Sequence, residues 1–227
     1  TALSGDGKGL HWTYVLSTTA TTDSQLPATP AIGDIDGDGL PEVVVAGVNG
    51  VAAVSHDGQE QWKHGQVPWG VSIRCGGVGL FDLDGDGGVE IVIGNAILDG
   101  LTGLVRGIGD HGQGSGHPDG LGIIGVAARM AGEQQEVIVG NARYNADGET
   151  VAYTGGSDGF VAVADFDLDG DPEIVVANGG SLRLESMDGL ILWSGSYTGD
   201  RIGPPTVADF DGDGAPEVGV AGRGQYV

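Results

Sequence analysis

Apolar residues in this chain recur in short bursts, not in long helical stripes. Val43-Val44-Val45, Ile91-Val92-Ile93, Val137-Ile138-Val139, Ile174-Val175-Val176 and Val218-Gly219-Val220 are the clearest, and turn-forming or acidic residues precede each. β-branched runs bounded in this way read as strands. A Gly/Asn turn such as Gly47-Val48-Asn49-Gly50 follows, then another strand, then an Asp-Gly hairpin turn at Asp57-Gly58, Asp147-Gly148 and Asp188-Gly189. A last strand ends in an aromatic: Trp62 and Trp193 both stand five residues beyond that Asp. This unit of four strands predicts an all-β chain, with the tryptophans packed between neighbouring units.

Ahead of four of the bursts stands one acidic spelling. It reads Asp34-Ile-Asp36-Gly-Asp38-Gly39-Leu40-Pro-Glu42, Asp82-Leu-Asp84-Gly-Asp86-Gly87-Gly88-Val-Glu90, Asp165-Phe-Asp167-Leu-Asp169-Gly170-Asp171-Pro-Glu173 and Asp209-Phe-Asp211-Gly-Asp213-Gly214-Ala215-Pro-Glu217. Carboxylates fall at positions 1, 3, 5 and 9, and glycine at 6 permits the positive φ of a sharp turn. Carboxylates crowded so closely repel unless a hard cation sits among them, and oxygen donors suit Ca2+. An EF-hand needs a bidentate Glu at position 12 and flanking helices. Position 12 is Val45, Ile93, Val176 or Val220, each inside an apolar strand, so the loops join strand to strand.

The spacing is periodic. Asp34 to Asp82 is 48 residues, Asp165 to Asp209 is 44, and the 83 residues between Asp82 and Asp165 span nearly two periods. A fifth copy fills that gap at 128–136, where the carboxylates of positions 1, 3 and 5 are lost and Glu136 remains; it is expected to bind no metal. Four strands per repeat of about 45 residues is the arithmetic of a β-propeller blade. The N-terminal stretch Leu3 to Trp12 resembles the second half of a blade, and the C-terminus stops after a second strand or just into a third. The expected architecture is one domain over 1–227, a ring of five four-stranded blades closed by N-terminal strands that complete the last blade. A fragment of a larger propeller is the rival.

The phrase Val163-Ala-Asp165-Phe-Asp167-Leu-Asp169-Gly-Asp-Pro-Glu173-Ile-Val-Val and its three relatives resemble the FG-GAP/VCBS-type repeats of integrin α-subunit propellers and bacterial secreted proteins. The resemblance spans essentially the whole chain. It implies one structural Ca2+ per loop, about four in all, between the first and second strands of a blade. By position it adds the carbonyls of Leu40, Gly88, Asp171 and Ala215 to the carboxylate ligands. Two features depart from the pattern: Glu replaces the usual Asp at position 9, and five blades are fewer than the common seven. The family includes adhesion, protein-binding and carbohydrate-binding modules and some polysaccharide-lyase scaffolds. The resemblance leaves the partner open.

Charge narrows the partners. A net charge of −23 and a pI near 4.1 exclude nucleic acid and anionic membrane surfaces as expected partners. The four loops hold 16 of the 32 acidic residues. No apolar run is long enough to cross a membrane as a helix, and lone Cys75 cannot form an internal disulfide. A mature secreted or trimmed chain opens as this one does at Thr1. Loops of this kind bind usefully where calcium is millimolar, so an extracellular, cell-surface or periplasmic home is expected.

No nucleophile elbow, Cys/His pair or isolated carboxylate pair stands out, so a non-enzymatic calcium-stabilised binding or adhesion module for a protein or glycan is expected. A lectin and a polysaccharide-lyase-like scaffold are the alternatives. Candidate ligand contacts are Trp69, Tyr197 and Arg201, together with His111 and His117 in Gly109-Asp110-His111-Gly-Gln-Gly-Ser-Gly-His117-Pro-Asp119-Gly120. That stretch reads as a flexible glycine-rich surface loop, or as a transition-metal site built on two His and two Asp.

Overall fold

A computed structural model describes residues 1–3, 8–16, 28–47, 50–65, 76–117, 122–130, 132–197, 202–222 and 225–226. Among the described residues there are strands, turns and irregular segments but no helix. β1 (Ala2–Leu3) and β2 (Leu10–Trp12) form a two-stranded hairpin. Sheet one holds β3 (Ala31–Gly33), β4 (Glu42–Gly47), β5 (Gly50–Val54) and β6 (Glu60–His64). Sheet two holds β7 (Gly79–Phe81), β8 (Glu90–Ile93), β9 (Ala96–Asp99) and β10 (Val105–Ile108). Sheet three holds β11 (Val126–Ala128), β12 (Glu136–Val139), β13 (Ala142–Tyr144) and β14 (Thr150–Tyr153). Sheet four holds β15 (Phe160–Ala164), β16 (Glu173–Asn178), β17 (Ser181–Glu185) and β18 (Ile191–Ser196). The pairs β19 (Thr206–Ala208) with β20 (Glu217–Gly219), and β21 (Ala221–Gly222) with β22 (Gln225–Tyr226), follow.

Each four-stranded sheet is an antiparallel meander in chain order, and acidic loops join the first strand to the second in sheets one, two and four and β19 to β20 in the following pair. The apolar bursts form the second strands. They lack hydrophobic alternation because both of their faces are buried between sheets. In β8, Ile91 and Ile93 turn toward Val44, Ala46, Val51 and Ala53 of sheet one. Val92 turns the other way, toward Val137, Val139, Ala142 and Tyr144 of sheet three. Ile138 then meets Val161, Ile174 and Val176 of sheet four, and Phe160 and Ala177 meet Ile202 and Val220. The core is thus a series of layers between successive sheets, the arrangement of a β-propeller.

The hairpin between strands three and four carries the same irregularity in every sheet. A bulge falls at Ala53/Val54, Val105/Gly107, Arg143/Tyr144 and Leu184/Glu185, and again at Ala2/Leu3 in the N-terminal pair. Trp62 lies beside this bulge and packs on the next sheet's turn. Its Nε1 donates to Gly100 O at 2.9 Å, and its ring lies 2.5 Å from where a Cβ on Gly103 would stand. Gly103 has φ +68°, so the position is closed to side chains both by backbone and by space. Trp12 repeats the device on sheet one, donating to His56 O at 2.9 Å and covering Gly58.

One expectation is met only in part, and another needs correction. Ring closure is not found: β1 and β2 pair only with each other among the described residues, and four complete sheets plus short pairs stand in place of five complete blades. Trp193 is not packed between units either, since it is 41% exposed, and all six residues of β18 are exposed. Among the described residues, β19 through β22 offer no third-to-fourth-strand hairpin to cover β18, as the hairpin of sheet two covers Trp62.

Candidate metal centres

The acidic loops are organised by their own carboxylates. At position 1, one oxygen accepts the N–H of position 4 and the other that of position 6: Gly37 and Gly39 on Asp34 at 2.7 and 2.9 Å, Gly85 and Gly87 on Asp82, Gly212 and Gly214 on Asp209. In the 165–173 loop Asp165 takes Asp169 N and Gly170 N instead. Position 3 accepts from the N–H of position 5, as Asp36 does from Asp38, Asp84 from Asp86, Asp167 from Asp169 and Asp211 from Asp213. Position 5 accepts from position 7: Asp38 from Leu40, Asp86 from Gly88, Asp169 from Asp171, Asp213 from Ala215.

The glutamate at position 9 is a structural part of the loop in all four copies. Its Oε2 accepts the N–H of position 2, from Ile35 to Glu42, Leu83 to Glu90, Phe166 to Glu173 and Phe210 to Glu217, at 2.7 to 3.1 Å. Glu42, Glu90 and Glu173 are buried, and desolvation raises the pKa of each. Neighbouring aspartates add to the rise at Glu42 and Glu173, whereas Arg106 opposes it at Glu90.

Glycine at position 6 has φ between +86° and +100° in all four loops, as the spelling predicts. The structure adds a second demand. Position 4 is also left-handed, at Gly37, Gly85 and Gly212, and in the 165–173 loop it is Leu168 at φ +62°.

One side-chain oxygen from each of Asp209, Asp211, Asp213 and Glu217 lies within 4.8 Å of the others; so do those of Asp34, Asp36 and Glu42, and of Asp165, Asp167 and Glu173. In the 82–90 loop only Asp82, Asp84 and Asp86 cluster in this way. The donors are all oxygen, with no nitrogen or sulfur, which fits a hard divalent cation such as Ca2+ and not a thiolate- or imidazole-loving metal. Between the 34–42 and 82–90 loops lies a cavity of about 320 Å³ lined by Asp34, Asp36, Asp86, Glu90 and Arg106.

The 128–136 loop has another task. Glu136 Oε2 accepts from Arg143 Nη1 at 2.9 Å, and burial raises the pKa of Glu136 against the pull of that guanidinium. Gln135 donates its N–H to Leu83 O and its Nε2 to Asp82 O, and Gln134 Nε2 reaches Asp84 O. This copy brackets the neighbouring acidic loop. The Gln134-Gln135 pair, at positions 7 and 8 where the other loops have Leu-Pro, Gly-Val, Asp-Pro and Ala-Pro, was the available signal.

The remaining site candidates separate. The described part of the 109–120 stretch is tied to the core by hydrogen bonds. Gly114, Ser115 and Gly116 are buried. The Asp158 carboxylate gathers the N–H groups of Gln113, Gly114, Ser115, Gly140 and Gly159 at 2.7 to 3.2 Å. His111 stacks on Tyr153 at 3.8 Å between centroids, and its backbone meets the Tyr144 hydroxyl. Among the described residues no cluster of metal-ligating groups includes Asp110, His111 or His117, and His117 is half-buried. Tyr197 is a packing residue: its hydroxyl donates to Gly179 O at 2.8 Å beside the last core layer. Trp69, Arg201, Cys75, Asp119 and Gly120 lie outside the described residues.

Layered antiparallel meanders with an acidic loop after the first strand define a β-propeller-like repeat protein. The chain belongs to the FG-GAP-like repeat family, whose model matches residues 34–93 and 165–220. Among solved structures it is similar to BBS1N, crystallised in complex with ARL6DN, at 14% identity and a TM-score of 0.57 over 88% of this chain and 63% of that one. It is likewise similar to BamB from Moraxella catarrhalis, at 15% identity and a TM-score of 0.54 over 88% of this chain and 58% of that one. The chain spans 47% to 63% of the length of five solved chains that it matches. No curated protein matches it.

Proposed function

We propose that this chain is a calcium-stabilised, five-bladed β-propeller module that binds a protein or glycan partner outside the cytoplasm without catalysing a reaction. The observation that carries the calcium reading is the convergence of carboxylate oxygens from at least three acidic residues within 4.8 Å in each loop. Asp34, Asp36, Asp38 and Glu42 would hold the ion in the first loop, as would Asp82, Asp84, Asp86 and Glu90, Asp165, Asp167, Asp169 and Glu173, and Asp209, Asp211, Asp213 and Glu217. A carbonyl at position 7 completes each set. The bound ion would neutralise crowded carboxylates and fix the first strand of a sheet to the second. Such a role fits a compartment with millimolar calcium.

The repeated bulge and Trp12 support reading β1 and β2 as the missing hairpin of a fifth blade. Spin labels at Ala2 and Gln225 should then report one short distance, while a long, broad distribution opens the ring. For calcium, the test is thermal unfolding with calcium and with EGTA. A site loaded a hundredfold above its Kd adds about 2.7 kcal/mol. An unchanged Tm removes the proposal. A glycan partner is favoured by the stacked His111–Tyr153 pair, whose Tyr153 is 51% exposed and offers a ring face to a sugar. A glycan array blank for wild type, or unchanged by Tyr153→Ala, refutes that second reading.

A further inference from the structure

The strand-four position that faces each acidic loop differs in chemistry from sheet to sheet. Ladder partners set the equivalence: Ala53 pairs Trp62, Ile97 pairs Gly107, Arg143 pairs Ala152 and Leu184 pairs Trp193, each beside the shared bulge. The residues just before these are Gln61, Arg106, Val151 and Leu192. Gln61 Nε2 donates to Asp36 Oδ2 at 3.0 Å. Arg106 donates from Nη2 to Asp84 Oδ2 at 2.8 Å and from Nη1 to Glu90 Oε1, and its Nη2 lies 3.6 Å from Asp147 Oδ1 on the next sheet. Val151 borders the 128–136 loop, which lacks the acids of positions 1, 3 and 5, and Leu192 is apolar and exposed.

The oxygens Arg106 takes are the telling part. Asp84 Oδ1 is already used by Asp86 N, and Glu90 Oε2 by Leu83 N. Asp84 Oδ2 and Glu90 Oε1 are therefore the oxygens of positions 3 and 9 left for a metal, and a guanidinium occupies both. Glu90 is correspondingly missing from the convergent cluster of its loop, whereas Glu42, Glu173 and Glu217 belong to theirs.

We infer that Arg106 is a resident cation that competes with the divalent ion at the 82–90 loop, so that this site fills last and the residue at this strand position sets the loading order. The inference rests on the calcium reading above. A divalent ion must displace two guanidinium–carboxylate bonds at 82–90, one bond from an uncharged amide at 34–42, and none from strand four at 165–173. A guanidinium released there keeps Asp147 as a partner.

The test is calorimetric titration of the full chain with Ca2+. Wild type should show a tight phase and one site at least about ten-fold weaker, the equivalent of one charge-assisted hydrogen bond. Asp82→Asn should abolish only the weak site. Arg106→Gln should bring that site into the tight phase, and Gln61→Arg should move the 34–42 site out of it. Indistinguishable sites in wild type, or a weak site unmoved by Arg106→Gln, overturn the inference while leaving calcium binding intact. Heat of binding absent from every loop overturns the calcium reading as well. Should Arg106→Gln fail to fold, wild type and Asp82→Asn still decide: loss of a tight site in Asp82→Asn refutes the assignment.

Discussion

Replacing Asp158 tests whether the 109–117 segment is held by one carboxylate. That group accepts five backbone N–H bonds, from Gln113 at 2.7 Å, Gly159 at 2.8 Å, Gly114 and Gly140 at 3.1 Å, and Ser115 at 3.2 Å. Asp158→Ala leaves all five donors without their acceptor. A hydrogen bond to a charged group contributes about 1.5–3 kcal/mol when removed singly, but five bonds on one carboxylate do not add. Water can enter at the half-buried Asp158, while Ser115 and Gly159 are buried and their N–H groups are less easily resolvated. The loss should therefore be about 3–5 kcal/mol, the range for breaking a buried charged network. For a chain of this length each kcal/mol is worth about 2–4 °C in Tm. Urea unfolding measures the loss directly, and it should be equal with and without calcium because Asp158 touches none of the acidic loops. Asp158→Asn keeps one acceptor oxygen and should cost less than the alanine variant. A loss below about 1 kcal/mol in Asp158→Ala would refute the account, since that is the net value of one ordinary hydrogen bond.

Leu168→Gly should stabilise the metal-free protein by about 1 kcal/mol, because Leu168 alone among non-glycine described residues sits at positive φ; an unchanged urea midpoint contradicts this. Gly103→Ala should destabilise by at least about 2 kcal/mol, since its Cβ would stand 2.5 Å from the Trp62 ring at a left-handed φ; Trp fluorescence and the Tm report it together, and an unchanged Tm contradicts it. Burial raises the Glu136 pKa in the folded chain, so the native state holds that proton more tightly than the unfolded state. Its contribution is favourable below the ordinary carboxylate pKa and is lost as pH rises through the raised native value. Glu136→Gln should flatten that part of the stability–pH curve measured without calcium, and an unchanged slope would count against it.

The acidic loops were legible because their geometry is local. Positions 1, 3, 5 and 9 and the glycine at 6 lie within nine residues, and hydrogen bonds inside that span fix the turn. Sheet order was legible for a similar reason, as each meander joins neighbours through short turns. What joins one repeat to the next was not. Arg106 stands 16 residues from Glu90 and 22 from Asp84, and only the bulged register of β10 on β9 brings it there. Asp158 reaches Gln113 across 45 residues. The glycine-rich spelling of 109–116 suggested freedom, but Gly114 and Gly116 are glycine because Ile124 and Phe160 leave no room for a Cβ. The exposure of Trp193 was hidden because its environment depends on a hairpin distant in sequence.

The loop hydrogen bonds also bear on how a cation would act. In each loop the position 1 carboxylate ties down two backbone N–H groups, and position 9 ties the entry of the loop to its exit. Much of the ordering cost of a metal site is thus met by the chain itself, which leaves charge repulsion as the main opposing force without metal. Repulsion of this kind is spread over crowded carboxylates and is weakened by salt. High monovalent salt should therefore recover part of the stability that EGTA removes at 34–42, 165–173 and 209–217. At 82–90 the guanidinium of Arg106 already supplies positive charge, so Arg106→Gln should make the metal-free protein more sensitive to salt than wild type. Equal salt sensitivity of the two proteins in EGTA would mean that repulsion is not what opposes folding, and that the ion's contribution lies in bridging strands.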